Sequence, residues 1–201
     1  KLLFFFLCFS SFFNFAQERR TIINGKVTDS LKLVKNANII NLKTNQGTFS
    51  ADDGTHGIEL WVTDGTSNGT QLVKDINPTE TDSSEARISR PTVLGDVAIF
   101  SARDGINGQE IWRTDGTEAG TFMLKDISAD ADHSNIKSIQ VWNGLAYFTE
   151  AGTGLWRTDG TVEGTDYIAA FDNINNVAVL DNGLLFFAEN DDGMGLWFND
   201  D

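Results

Sequence analysis

Cysteine is almost missing from this chain of 201 residues, histidine and proline occur twice each, and no segment repeats apolar residues at helical spacing. Each shortage excludes something. The one thiol, Cys8, lies inside an apolar N-terminal run. A chain without that run has no disulfide, thiolate metal site or cysteine nucleophile. His56 and His133 fall in a loop and a linker, matched by no repeated Ser or Asp, so surface positions account for them better than a catalytic triad. No GxSxG, HExxH, Walker or GxGxxG pattern occurs. Without a run of i, i+3, i+4 apolar residues, the chain after its N-terminal run reads as all-β.

Basic residues are also scarce. Lys and Arg number 15 against 29 Asp and Glu, for a formal net charge of −14. Such a field repels nucleic-acid phosphates and anionic lipid headgroups, and neither is expected as a partner. It favours solubility and, weakly, divalent cations.

Seven of the fifteen phenylalanines lie between Phe4 and Phe15, in KLLFFFLCFSSFFNFA. One lysine, an apolar stretch without amphipathic period, and small Ala16 before Gln17-Glu18-Arg19-Arg20 have the layout of a secretory signal peptide. A retained anchor is the alternative, but the run is short of the about 20 apolar residues that spanning needs. A buried strand or helix is the third reading. The bulky Phe5-Phe6-Leu7 before Cys8 argues against lipid attachment there. The expected organisation is a leader at 1–16, a short β segment at 17–49 and repeats over 50–201.

The repeats dominate what is present. Glu59 to Thr70 reads ELWVTDGTSNGT, Glu110 to Thr121 EIWRTDGTEAGT, Gly154 to Thr165 GLWRTDGTVEGT, and a fourth copy begins at Gly195 as GLWFNDD. The tryptophans Trp61, Trp112, Trp156 and Trp197 are 51, 44 and 41 residues apart, the interval of one four-stranded propeller blade per repeat. In the second unit the strands are expected near Ile88–Leu94, Val97–Ala102, Glu110–Thr114 and Thr121–Ile127. Short connections such as Gly95-Asp96 imply antiparallel neighbours, and the polar linker Pro78 to Arg87 would carry the chain between units. The missing initiator Met and the interrupted fourth copy suggest a piece of a longer protein. The fold class expected is therefore a propeller-like array of four-stranded antiparallel blades, incomplete at its end.

Recurrent residues admit a structural and a functional reading. Large flat indoles fill the space between stacked sheets, although exposed ones also stack on sugar rings. Asp64, Asp115 and Asp159 precede Gly in a turn, where a short carboxylate accepts backbone N–H groups and Gly takes positive φ. The loops Asp52 to Glu59 and Asp104 to Glu110 gather oxygen ligands of the kind hard cations prefer. They lack an EF-hand or nonapeptide calcium register, and the third copy, Glu150 to Gly154, loses the Asp. Solvated turns explain them better. The sialidase aspartate box, Ser-x-Asp-x-Gly-x-x-Trp, fails on spacing. No catalytic, cofactor-binding or metal residue is therefore assigned, and no cofactor is expected.

Two resemblances rest on these residues. The phrase ELWxTDGTxxGTxLVKDI, at Glu59 to Ile76 and Glu110 to Ile127, resembles the ELWxxDGT repeats of secreted and surface proteins of Bacteroidetes and other bacteria. This resemblance covers about three quarters of the chain. It implies an extracellular propeller-forming array, often followed by a C-terminal sorting domain for type IX secretion, with no general catalytic assignment. Over about thirty residues, INGKV, Asp29-Ser30 and Asn36-Ala37-Asn38-Ile39-Ile40 resemble the start of carboxypeptidase regulatory-like β-sandwich modules, here expected to be truncated or absorbed into the first blade. The expected function is a non-catalytic binding or scaffold module, secreted or on the cell surface, whose ligand is a glycan or a protein. The alternatives are a polysaccharide hydrolase or lyase with carboxylates converging on the propeller face, and a fused or decayed gene product that does not fold alone.

Overall fold

The computed structural model describes residues 28–29, 32–33, 40–42, 46–78, 87–127, 136–150, 154–171, 174–190 and 193–199. The leader at 1–16, linker residues 79–86, His133 and most of the segment 17–39 lie outside the described residues. No described residue is helical, and no described helix could cross a membrane.

A two-residue pairing, β1 (Thr28–Asp29) with β2 (Lys32–Leu33), precedes four antiparallel sheets. Sheet one is β3 (Ile40–Leu42), β4 (Gln46–Asp52), β5 (Ile58–Thr63) and β6 (Gln71–Lys74). Sheet two is β7 (Thr92–Leu94), β8 (Val97–Arg103), β9 (Gln109–Thr114) and β10 (Phe122–Lys125). Sheet three is β11 (Ile136–Trp142), β12 (Leu145–Glu150), β13 (Gly154–Thr158) and β14 (Asp166–Ala169). Sheet four has three strands, β15 (Asn175–Leu180), β16 (Gly183–Asn190) and β17 (Gly193–Asn199). Within each sheet the strands pair in chain order. The ladder of sheet one begins at Ile40 and β4 runs across Ser50, so residues before the repeat phrase share its first sheet.

Turn chemistry makes these meanders. Asn143-Gly144 joins β11 to β12 with φ of 49° and 78°, the doubly positive pair that a two-residue type I′ hairpin requires. In sheet two the first strand is shorter than the run Ile88–Leu94. Pro91 has no N–H for the ladder, and Ser89 instead exchanges bonds with Ser101 through its backbone N–H and side-chain oxygen. The last strand is shorter than Thr121–Ile127 because Thr121 and Ile127 are held by side chains described below. In sheets one to three the pairing of the last two strands carries a one-residue register shift. In the first two it turns Val73 and Leu124 into the core, at 6% and 1% exposure.

Alternation of side chains gives every sheet two apolar faces. Leu60, Val62, Val73 and Ile76 of sheet one and the segment after it pack on Phe100, Ala102 and Trp112 of sheet two. The opposite face of sheet two, with Ile99, Ile111 and Leu124, packs on Ala146 and Phe148 of sheet three, with Trp156 at the margin. Tyr147 and Leu155 on the other face of sheet three meet Leu184, Phe186 and Ala188 of sheet four, with Trp197 alongside. Trp112, Trp156 and Trp197 thus each face the preceding sheet, and a residue next to each of the first two in sequence, Ile111 and Leu155, faces the following one. Full burial of such side chains contributes about 1.5–3 kcal/mol each. The forward face of sheet four has no described cover: Phe187, Met194, Leu196 and Phe198 are 45–68% exposed.

The first strands approach one another, β7 meeting β3 and β11, and β11 meeting β15. The last strands form the opposite edges.

Candidate functional site

The most repeated residues form a closed hydrogen-bonded clasp between the last two strands. In sheet two, Thr114 Oγ1 lies 2.7 Å from Thr121 Oγ1 and accepts from Gly116 N at 2.9 Å. Asp115 Oδ1 accepts from Thr117 N and Oγ1 at 2.9 and 2.7 Å. Thr117 Oγ1 accepts from Gly120 N, and Thr121 Oγ1 donates to Thr117 O. The clasps of Thr63 to Thr70 and Thr158 to Thr165 repeat these bonds. Both glycines of the phrase are required. Gly65, Gly116 and Gly160 hold φ of 90–91°, and a Cβ on Gly69, Gly120 or Gly164 would run into the Asp carboxylate. Hydrogen bonds from Thr66 and Thr161 hold the Asp64 and Asp159 carboxyls below the ordinary range. At Asp115 burial pushes upward, but bonds from Thr117 and the nearby Arg113 outweigh it. These aspartates organise turns.

The loops between second and third strands work similarly. Asp53 Oδ1 accepts from Thr55 N, Thr55 Oγ1 and His56 N at 2.8–2.9 Å, and Oδ2 lies 2.7 Å from His56 Nδ1. Burial raises the Asp53 carboxyl, yet these donors pull it well below the carboxylate range, and the same contact raises the His56 imidazole. Asp104 accepts from Ile106 N, Asn107 N and Asn107 Nδ2. Carboxylates ringed by N–H donors are poorly set to take a cation, and the described residues contain no His, Cys, Asp and Glu cluster of metal-binding geometry.

Glu59 and Glu110 carry a role that sequence reasoning missed. Their side chains are 1% and 0% exposed. Glu59 Oε2 and Oε1 accept from Ile76 N and Asn77 N at 2.9 and 3.1 Å, and Glu110 Oε2 accepts from Ile127 N at 2.9 Å. Each carboxylate fastens the chain leaving the last strand to the middle of its own sheet. Burial pushes the Glu59 carboxyl up to about 7 against the pull of those two N–H groups. A signal existed: Glu and the later Lys-Asp-Ile occur together in two copies and vanish together in the third. There Gly154 stands at the Glu position, and a Cβ would strike the Ala169 carbonyl.

Basic side chains link adjacent sheets. Lys74 Nζ donates to Thr121 O and Arg113 Nη1 to Gly160 O, both at 3.0 Å, so each grips the clasp of the following sheet. No protein-family model and no curated protein matches this chain. Among solved structures, it is similar to the computationally designed Ika4 protein, at 17% identity and a TM-score of 0.43 over 77% of this chain and 86% of that one. It is similar also to the designed Ika8 protein, at 16% identity and 0.44 over 81% and 46%.

The indoles divide between packing and hydrogen bonding. Trp112 is 6% exposed, and Trp156 stacks on Phe148 at 6.4 Å. Trp61 and Trp197 donate to Ala51 O and Ala188 O at 3.1 and 3.2 Å. Trp112, Trp156 and Trp197 are taken up in the packing between sheets, which leaves them poorly placed as sugar platforms, and Trp61 is half-buried. What differs between copies lies at the first-strand edge. Register shifts between Lys137 and Gln140 and between Asn175 and Ala178 lift two residues out of regular pairing at equivalent places, and Ser89-Arg90 occupies that place before β7. Bulges at such edges re-aim side chains.

Proposed function

We propose that the four sheets are blades of a β-propeller-like array of the ELWxxDGT type. In this reading the chain serves outside the cell as a non-catalytic binding or scaffold module, in adhesion or in recognition of a polymer. The observation behind it is the division of labour between repeated and variable residues. Thr, Asp, Gly and Trp of the repeated phrase are consumed by clasps and sheet packing, while the residues at and beside the first-strand irregularity, Ser89-Arg90 and Lys137-Ser138, differ from copy to copy on a common framework. An N-terminal run with the layout of a leader and the acidic balance suit an extracellular setting.

An array of immobilised extracellular polysaccharides and surface proteins, probed with the tagged chain, tests this reading. Saturable binding of one ligand class without its turnover is expected. Turnover of a bound polysaccharide, or binding to none, would overturn it.

A further inference from the structure

A cleft of about 260 Å³ opens between the first strands of sheets two and three, near the lower end of ligand clefts, which begin at about 300 Å³. Its walls include Ser89, Arg90, Thr92, Lys137 and Ser138, with Ile136 and Ile139 as the apolar part. Among the described residues no carboxylate lines it, in a chain with about twice as many acids as bases. Neither Arg90 nor Lys137 is ion-paired to a described carboxylate. Ser138 sits in the register shift of β11 with φ of 52°, a left-handed conformation that a serine rarely adopts and that marks a site held by its surroundings.

We propose that this cleft binds a small sugar acid, its carboxylate or sulfate held between Arg90 and Lys137 and its ring hydroxyls by Ser89, Thr92 and Ser138. A planar guanidinium can take two oxyanion oxygens at once, and an ammonium adds a point charge. Hydroxyl groups beside a strip of isoleucine match the mixed surface of a sugar ring. The overall charge of −14 sets the size of the ligand. A long polyanion would meet the whole repulsive field, whereas one charged group in contact with two cations is screened from distant acids beyond about 8–10 Å in physiological salt. The bulge recurs in sheet four between Asn175 and Ala178. The framework therefore exists in two sheets, and Arg90 and Lys137 together line the β7–β11 cleft.

This inference rests on the binding-module reading and names its ligand class. Calorimetric titration of the chain with digalacturonate, its methyl ester and inorganic sulfate tests it. The free acid is expected to bind and the ester to bind at least 10-fold more weakly. The R90A/K137A double variant is expected to lose at least 10-fold in affinity, with its unfolding midpoint unchanged because both side chains are solvent-facing. The Ser138→Gly variant keeps the backbone conformation and separates the hydroxyl contribution from the fold. Equal binding of acid and ester, undiminished binding by the double variant, or no binding of the acid would overturn the site. Sulfate binding as tightly as digalacturonate would reduce it to an inorganic-anion site and overturn the sugar assignment. If an array finds a neutral glycan or protein ligand while digalacturonate fails, this site falls and the binding-module reading stands; if nothing binds, both fall.

Discussion

Arg113 of the second sheet donates from Nη1 to the carbonyl of Gly160 in the third, 3.0 Å away, while its guanidinium lies 5.1 Å from the centre of the Phe122 ring. The contact ties a strand of one sheet to the clasp of the next, beside the apolar core between them. Hydrogen bonds to charged donors contribute about 1.5–3 kcal/mol. Arg113→Met, which keeps the apolar stem, is therefore expected to lower stability in urea by about 1–2 kcal/mol. An unchanged midpoint and slope would show that the sheets are joined by apolar packing alone.

Glu59 makes stability depend on pH in an unusual direction. Its carboxyl is pushed up to about 7 in the folded chain, against an unperturbed value of 4.5, so folding favours the protonated form. The associated stability is complete below the unfolded value and is lost as pH rises through 7, a span worth roughly 3 kcal/mol. Stability should accordingly fall between about pH 4.5 and 7 and flatten above. Glu59→Gln removes that slope. It costs about 1–2 kcal/mol below about pH 4.5, where Glu59 is protonated, because an amide oxygen serves Ile76 N or Asn77 N but its NH₂ faces the other donor; by neutral pH the variant is the more stable of the two, since it has no carboxyl to ionise. Denaturant titrations at several pH values on both proteins check slope and offset together.

Gly120 is closed to any side chain by the Asp115 carboxylate. Gly120→Ala is expected to displace the Asp115 carboxylate and break its bonds to Thr117, at a cost of about 0.5–1.5 kcal/mol because those bonds are solvent-exposed. The double variant with Asp115→Ala should cost less than the sum of the single changes, since removing the carboxylate makes room for the methyl group. Full additivity in a double-mutant cycle would contradict that account.

The forward face of sheet four predicts self-association. Phe187, Leu196 and Phe198 stand 45–57% exposed on neighbouring strands, and an apolar patch of this kind drives non-specific contact. Replacing all three with Thr should keep β propensity and shift sedimentation profiles towards monomer at high concentration. Profiles identical to the parent would assign any association to another surface.

Turn residues and alternating apolar strands made the meanders legible in the sequence, down to the Gly95-Asp96 and Asn143-Gly144 connections. The role of Asp64, Asp115 and Asp159 in the turns was legible too, because Asp-Gly turn chemistry is local. Less accessible was anything fixed by contacts distant along the chain. Glu59 and Glu110 look like surface carboxylates in an acidic sequence, and only their pairing with N–H groups 17 residues later reveals them as buried fasteners. The strand at Ile40 was legible as β structure, but whether it belonged to a truncated module or to the first sheet depended on its pairing with β4, which no local mark announces. The register shift at Lys137 was invisible, since a bulge is a relation between two strands.

Trp112, Trp156 and Trp197 all point backwards along the chain, while Ile111 and Leu155 point forwards. The stack therefore has a polarity, like a set of nested cups. A tandem gene duplication copies a sheet in the correct orientation and adds a compatible joint at no structural cost. An inverted or shuffled sheet would set indole against indole, so lengthening by head-to-tail duplication is the growth route this packing permits.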